Sequence, residues 1–378
     1  MRKFLFFLPV ALLAMECVEG AVRFDRVPDA GIQPQVIREN GELHLLYFKG
    51  DAMGGDIYYA TRSDGEAEFS KAIKVNQRAG SVIAAGTMRG PQMALGANGT
   101  VHVVWMGGNG AEKVSVGGTS VTPLLYTRLA ETRNRFEPER NILTHIAGLD
   151  GGQTVAADAK GNVYVIWHGA APGVESEEER GLYVARSADG GKKFAREEQA
   201  KVPKRGACAC CGIRAQIDAS GALHVLFRAA EAGVNRSELW LKSTDEGKSF
   251  EIVQEDPWKT ATCPASSASF DLRSAAQVGA WETDGRVAGA VRNGGKMVKL
   301  QPGGDTKQKH PNAAANARGE VLLTWVEEAG WGTAGTLVAQ EFGSDGKPKG
   351  EKVRKKELPA WSFGAVYAEK DGDFVVLY

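Results

Sequence analysis

The 378-residue chain has no excess charge of either sign, with 46 Lys and Arg against 46 Asp and Glu. A balanced surface gives no field to draw nucleic acid or an anionic membrane, so neither is expected as a partner. Beyond the first residues no apolar run approaches the roughly 20 residues of a transmembrane helix. Hydrophobic stretches stop at Gly, Asp or Asn instead. Pro-rich and Ser-rich linkers and low-complexity breaks are missing, which points to one domain. Long amphipathic helical patterns are not evident either. Cysteine is scarce, at five residues, and no Cys-x-x-Cys-His occurs, which excludes a c-type haem attachment. The sequence implies no cofactor.

What is present begins with Met1-Arg2-Lys3, a basic start, followed by an apolar stretch from Phe4 to Ala14 that is too short to span a bilayer. This is the pattern of a signal peptide over residues 1–20, with the mature domain at 21–378 and a secreted or periplasmic destination. Glu16 before Cys17 is a poor fit to a lipid-anchor signal. The 47 glycines lie largely in Asn-Gly, Asp-Gly and Gly-Gly pairs between short apolar runs, a turn density typical of all-β chains. One segment type recurs, a Gly turn followed by an apolar strand ending in an aromatic. Copies start at Gly41, Gly99, Gly161, Gly221, Gly319 and Gly372 and end at Tyr47, Trp105, Trp167, Phe227, Trp325 and Tyr378, with a weaker copy ending at Trp281. The terminal aromatics fall 44 to 62 residues apart, about the length of a four-stranded β-propeller blade. Seven blades are expected, or six if the stretch from Cys263 to Gln301 is not a full blade. The last unit has room for two strands only, and the short alternating segment Val22 to Val27 is the natural candidate to complete it and close the ring.

Two turns carry the most specific motif, Ser187-Ala188-Asp189-Gly190-Gly191-Lys192-Lys193-Phe194 and Ser243-Thr244-Asp245-Glu246-Gly247-Lys248-Ser249-Phe250. Shortened forms occur at Ser63-Asp64-Gly65 and Ser344-Asp345-Gly346. Ser and Asp oxygens accept backbone N–H groups in such a turn, Gly supplies a positive φ, and the aromatic tucks beneath. With a blade-length repeat, these boxes resemble the BNR or Asp-box repeats of the sialidase superfamily. The resemblance implies a propeller whose function lies at its central mouth and is directed at a carbohydrate or glycoconjugate. A sialidase of that family uses an arginine cluster, a Tyr nucleophile paired with a Glu, and an Asp acid/base. The nearest match to the family's Arg-Ile-Pro segment is Arg89-Gly90-Pro91, which lacks the Ile. Arg214, Arg236, Arg273 and Arg292 are further clamp candidates, Tyr367 is the candidate nucleophile, and Asp150 and Glu231 are candidate acids.

Other residues compete for a role. His44, His102 and His224 hold the same place in three repeats, with Tyr164 in a fourth, and read as a repeated structural choice. His168 and His310 are expected to face a loop surface. Cys208, Cys210 and Cys211 open the fourth repeat and Cys263 the fifth. Export favours disulfides, with Cys263 paired to Cys210 or Cys211 across neighbouring blades, over the alternative of a soft-metal site made by Cys208, Cys210, Cys211 and Cys263. Trp331 among glycines is a candidate sugar-stacking surface. Two readings remain open, divergent glycoside hydrolysis at the mouth or non-catalytic binding of glycan, protein or metal.

Overall fold

Strands such as Val163–Gly169 and Val321–Glu327 bury every side chain, the pattern of a strand covered on both faces. A computed structural model describes residues 22–203, 206–274, 276–293 and 295–378. The signal-peptide expectation therefore lies outside the described residues. The chain forms a seven-bladed β-propeller with almost no helix. Six blades are four-stranded antiparallel sheets with strands in chain order. Their inner strands are Ile32–Glu39, Gln92–Leu95, Gln153–Ala157, Arg214–Ile217, Ala268–Asp271 and Gln308–Ala315. The irregular stretch after Cys263 is a full fifth blade ending at Leu300.

The seventh blade has three strands among the described residues. Ala365–Ala368 is innermost and pairs with Phe374–Leu377, and Arg23–Asp25 joins on the outside, parallel to its neighbour. The N-terminal segment thus closes the ring as expected. Because that sheet is short, a groove of about 1320 Å³ runs beside blade one, lined by Tyr58, Arg62, Phe69 and Tyr367.

Alternate side chains of the second strand in each blade serve two interfaces. In blade one, Leu43, Leu45 and Tyr47 pack toward blade seven, and Leu46 and Phe48 toward blade two. Seven apolar clusters of this kind join the seven neighbouring pairs of blades. The repeat-ending aromatics Tyr47, Trp105, Trp167, Phe227, Trp281 and Trp325 are all buried in them or beside them.

The ends of the ring follow from strand direction. At one end, the turn face, lie the connections from inner to second and from third to outer strand. Both complete Ser-x-Asp-x-Gly turns lie there and have the expected chemistry. Ser187 Oγ accepts from Gly191 N at 2.9 Å and Asp189 Oδ1 from Lys193 N at 2.9 Å; Ser243 and Asp245 do the same with Gly247 and Ser249. Gly191 and Gly247 have φ of +79° and +74°, where a side chain is strained. At the other end, the loop face, each blade hands on to the next.

Candidate functional site

The loop-face mouth of the channel is filled by the chain itself. Residues 83–90, which precede the inner strand of blade two, are held from three sides. Gln33 of blade one donates to the carbonyls of Ala84 and Trp361 at 2.7 Å each, and Gln153 of blade three donates to those of Arg89 and Gly90 at 2.9 Å each. Ala84, Ala85 and Met88 are buried. Met88 lies against Gly151 of blade three and Gly212 of blade four, where an added Cβ would come within 3.3 and 3.4 Å of it. Gly86 has φ of +86°, and a Cβ there would lie 2.9 Å from Met88 Sδ and 3.1 Å from Trp331. Glycine is therefore required for the close approach.

Above this plug stands a small surface. Trp331, in the connection of blade six, is 66% exposed. Trp361 of blade seven meets it edge-on, ring centres 4.9 Å apart at 85°. The Arg89 guanidinium lies 5.6 Å from the Trp331 ring centre, within cation–π range. Arg89 is fixed by Asp150, with Nε donating to its carbonyl at 2.6 Å and Nη2 to its carboxylate at 2.9 Å. Residues of blades two, three, six and seven thus meet at one place.

Below the plug, the inner strands enclose a channel cavity of about 280 Å³. Arg214, Arg273 and Tyr367 all line it, together with Arg38, Ser269 and Asn312. Arg214 donates to the carbonyl of Ile213 at 2.8 Å and forms no salt bridge to a described carboxylate. Burial alone draws it down to about 10. Arg273 is exposed, just past its strand on the turn-face side. Tyr367 is buried and pushed up to about 12 by that burial, and its hydroxyl accepts a hydrogen bond from Arg62. The remaining candidates lie elsewhere. Arg236, in the connection of blade four, pairs at 2.7 Å with Glu177 in that of blade three, near Glu231, whose backbone pairs with Asn235. Arg292 sits on the third strand of blade five.

A second polar centre lies under the loop face of blades three to five. The position after the strand-ending aromatic is Phe48, Met106 and Val326 in blades one, two and six, but His168, Arg228 and Glu282 in blades three, four and five. These three are buried. His168 was expected at a loop surface but lies beneath it, bonded through Nε2 to the carbonyl of Cys211 at 3.0 Å. His310 is likewise buried, 3.2 Å from Ser267 Oγ. Burial holds both near 4, so both are neutral at neutral pH. Arg228 donates to Ser266 Oγ at 2.7 Å and to the carbonyl of Arg236 at 2.6 Å, and it pairs with buried Glu238 at 3.0 Å. Burial pushes Glu238 up to about 8, with the Arg228 charge opposing it. Glu282 accepts from the backbone of Ser267 and His310 and pairs with Lys309 at 3.2 Å. These outweigh its burial and hold its carboxyl below the usual range.

The cysteines belong to this centre. Cys210 is bonded to Cys263 across blades four and five, one of the two pairings left open by the sequence. Cys208 and Cys211 are free and buried. The three sulfurs of Cys208, Cys210 and Cys211 lie within 4.8 Å of one another. The equivalent histidines prove to be strand-to-strand struts. His44 meets Tyr59 at 2.6 Å, His102 meets Tyr126 at 2.7 Å, and His224 accepts from Trp240 at 2.9 Å.

No family model matches the chain, and no curated protein matches it in sequence. Among solved structures, Trypanosoma rangeli sialidase superposes with a TM-score of 0.52 at 11% identity, over 80% of this chain and 53% of that one. The chain therefore spans about half that enzyme's length. A Hadza microbial sialidase gives 0.49 at 13% identity, covering 84% of this chain and 69% of that one. A Dyadobacter fermentans protein of unknown function gives 0.49 at 15%, covering 82% and 94%. At 11% identity the likeness to the Trypanosoma rangeli enzyme carries the fold alone and leaves activity to be argued from the site.

Proposed function

We propose that this is an exported carbohydrate-binding propeller, and that its ligand rests on Trp331 at the loop face. The observation that carries the reading is the exposed Trp331 indole, braced by Trp361 and flanked by Arg89 on Asp150. A fixed aromatic plane beside paired charged groups suits the apolar face of a sugar ring and its hydroxyls. Three observations favour binding over hydrolysis. The plug at residues 83–90 leaves a platform in place of a deep mouth. Arg89 is occupied by Asp150. Tyr367 faces Arg62 and has its hydroxyl pushed up, the reverse of what a nucleophile requires. Export is supported by the N-terminal pattern and by the Cys210–Cys263 bond, which suits an oxidising compartment. Among the described residues no helix is long and apolar enough to cross a membrane.

The channel supports a second reading. Arg214, without a carboxylate partner, would attract an acidic sugar to a site shared with Arg273 and Tyr367. The two readings separate in one assay of a fluorogenic sialoside with wild type, Arg214→Ala and Tyr367→Phe. Binding alone predicts no turnover by any of them, whereas wild-type turnover lost in both variants would establish hydrolysis in the channel. Arg89→Ala and Arg236→Ala extend the test to the remaining candidates.

A further inference from the structure

All four cysteines of the described chain stand in one cluster, which the proposed sugar surface does not use. Cys208 Sγ lies 3.0 Å from Cys211 Sγ and 3.5 Å from Cys210 Sγ, with Cys210 and Cys211 sulfurs 4.0 Å apart. Cys210 is bonded to Cys263. Exposure is graded along the cluster, since Cys208 and Cys211 are each 1% exposed, Cys210 is half-buried and Cys263 is exposed. Cys208-Ala209-Cys210-Cys211 also spaces the free pair as Cys-x-x-Cys. A disulfide in contact with a free thiol pair has what exchange needs, an attacking sulfur beside a breakable bond.

We propose that these cysteines form a thiol–disulfide exchange centre, in which the bond between Cys210 and Cys263 and a bond between Cys208 and Cys211 interconvert. Cys208 attacks Cys210 Sγ as its proton passes to Cys211 across the 3.0 Å contact between the two sulfurs. The Cys208–Cys210 bond forms, the Cys210–Cys263 bond breaks, and the electron pair leaves on Cys263. Cys211 then attacks Cys208, its proton passing to the departing Cys210. One disulfide, one thiol and one thiolate are present before and after, so no external oxidant or reductant is consumed. The thiolate has moved from buried Cys211 to exposed Cys263.

The surroundings suit that sequence. Burial pushes the Cys211 thiol up, but the Cys208 hydrogen bond, the Arg228 charge and the Ser266 hydroxyl at 3.3 Å draw it down to about 7. Its contact with Cys211 and its burial hold the Cys208 thiol high, so Cys211 is the base of the pair. Arg228, which steadies the thiolate, is the charged residue that replaces an apolar one after the blade-four aromatic. The centre thereby links the redox state of a surface sulfur to a buried pair below the plug.

The test is disulfide mapping of the purified wild-type chain, by alkylation and peptide mass spectrometry across a glutathione redox series, with Cys263→Ser and Cys211→Ser in parallel. Single-disulfide wild type should yield both Cys208–Cys211 and Cys210–Cys263 peptides, and the oxidising end should yield both bonds in one chain. Cys263→Ser should still close Cys208–Cys211, and Cys211→Ser should accumulate Cys208–Cys210. The proposal fails if wild type forms only Cys210–Cys263 at every poise with Cys208 and Cys211 always alkylated after denaturation. It also fails if the native chain carries stoichiometric zinc or copper with all four thiols reduced. The wild-type map decides alone, so the outcome does not depend on a variant folding.

Discussion

On the turn face, five blades close the inner hairpin with the same five-residue turn, in which the first residue's amide donates to the fifth residue's carbonyl. The turns start at Gly96, Asp158, Asp218, Asn316 and Glu369, and the fourth residue is Gly with φ between +65° and +93°. On the loop face the connections differ from blade to blade, from the tight Asp284-Gly285 turn of blade five to the span of blade two that carries its own hairpin, Val114–Val116 with Thr119–Val121. The strands beneath are alike. Repetition therefore belongs to the scaffold, and the chemistry that departs from it collects on the loop face, as Trp331 on Arg89 and as the Cys, Arg228 and Glu282 centre.

The largest expected difference between regular and irregular blades comes from Arg228→Ala. Removing this buried guanidinium leaves a cavity and takes the donor from Ser266 Oγ, the carbonyl of Arg236 and Glu238, and should cost about 3–5 kcal/mol in urea denaturation. Met106→Ala, at the equivalent but half-buried place in blade two, should cost about 1–2 kcal/mol. Equal losses at the two positions would mean that Arg228 is nothing more than a packing unit.

Acid sharpens the comparison next. Burial, with Arg128 nearby, holds His102 at about 4, below its unfolded value of 6.5. Its neutral form is therefore favoured in the fold, and that stability is complete above pH 6.5 and lost as pH falls toward 4. The loss is about 3 kcal/mol for this residue. Glu238 acts in the opposite sense. Raised to about 8, it favours the fold below its unfolded value, and this contribution is lost as pH rises from about 4.5 to 8. Melting temperature across pH should thus fall on the acid side, and Glu238→Gln should flatten the decline toward pH 8 without altering the acid limb.

Glycine substitutions give a smaller contrast. Gly221 sits in a turn-face loop at φ of +85° with nothing near its missing side chain. Gly221→Ala should cost about 1–2 kcal/mol of melting stability from backbone strain alone and leave ligand binding untouched. Gly86→Ala adds a clash with Met88, Arg89 and Trp331, so it should weaken binding as well. A Gly86→Ala chain that binds normally would break the link between the plug and the Trp331 surface.

Much of the turn face was legible in the sequence because its residues repeat at blade length. Gly99, Gly161, Gly221, Gly319 and Gly372 announced both the turns and the strands after them, and Ser187 with Asp189 announced the outer turns. Ring closure by the segment after Val22 was legible too, since two strands cannot cover blade six. The loop face was harder. Trp331 stood out as an aromatic among glycines, but nothing in spacing told that it reaches Arg89 three positions around the ring, or that Met88 packs against Gly151 and Gly212 of blades three and four. Cys263 was legible as a cross-blade partner because blades four and five are neighbours. His168, Arg228 and Glu282 carried a readable sign, an ionisable residue directly after a strand-ending aromatic in three successive blades. That sign becomes informative only when blade equivalence is known.

The smallest stability effect belongs to the most direct test. Calorimetric titration of the wild type and Trp331→Ala with sialylated and neutral oligosaccharides should show binding to wild type that the variant loses. Melting should change by no more than about 0.5 kcal/mol, because an exposed side chain contributes little to folding. Unchanged affinity in Trp331→Ala, or no binding of any oligosaccharide by a folded wild type, would contradict the assignment of the loop face as a carbohydrate surface.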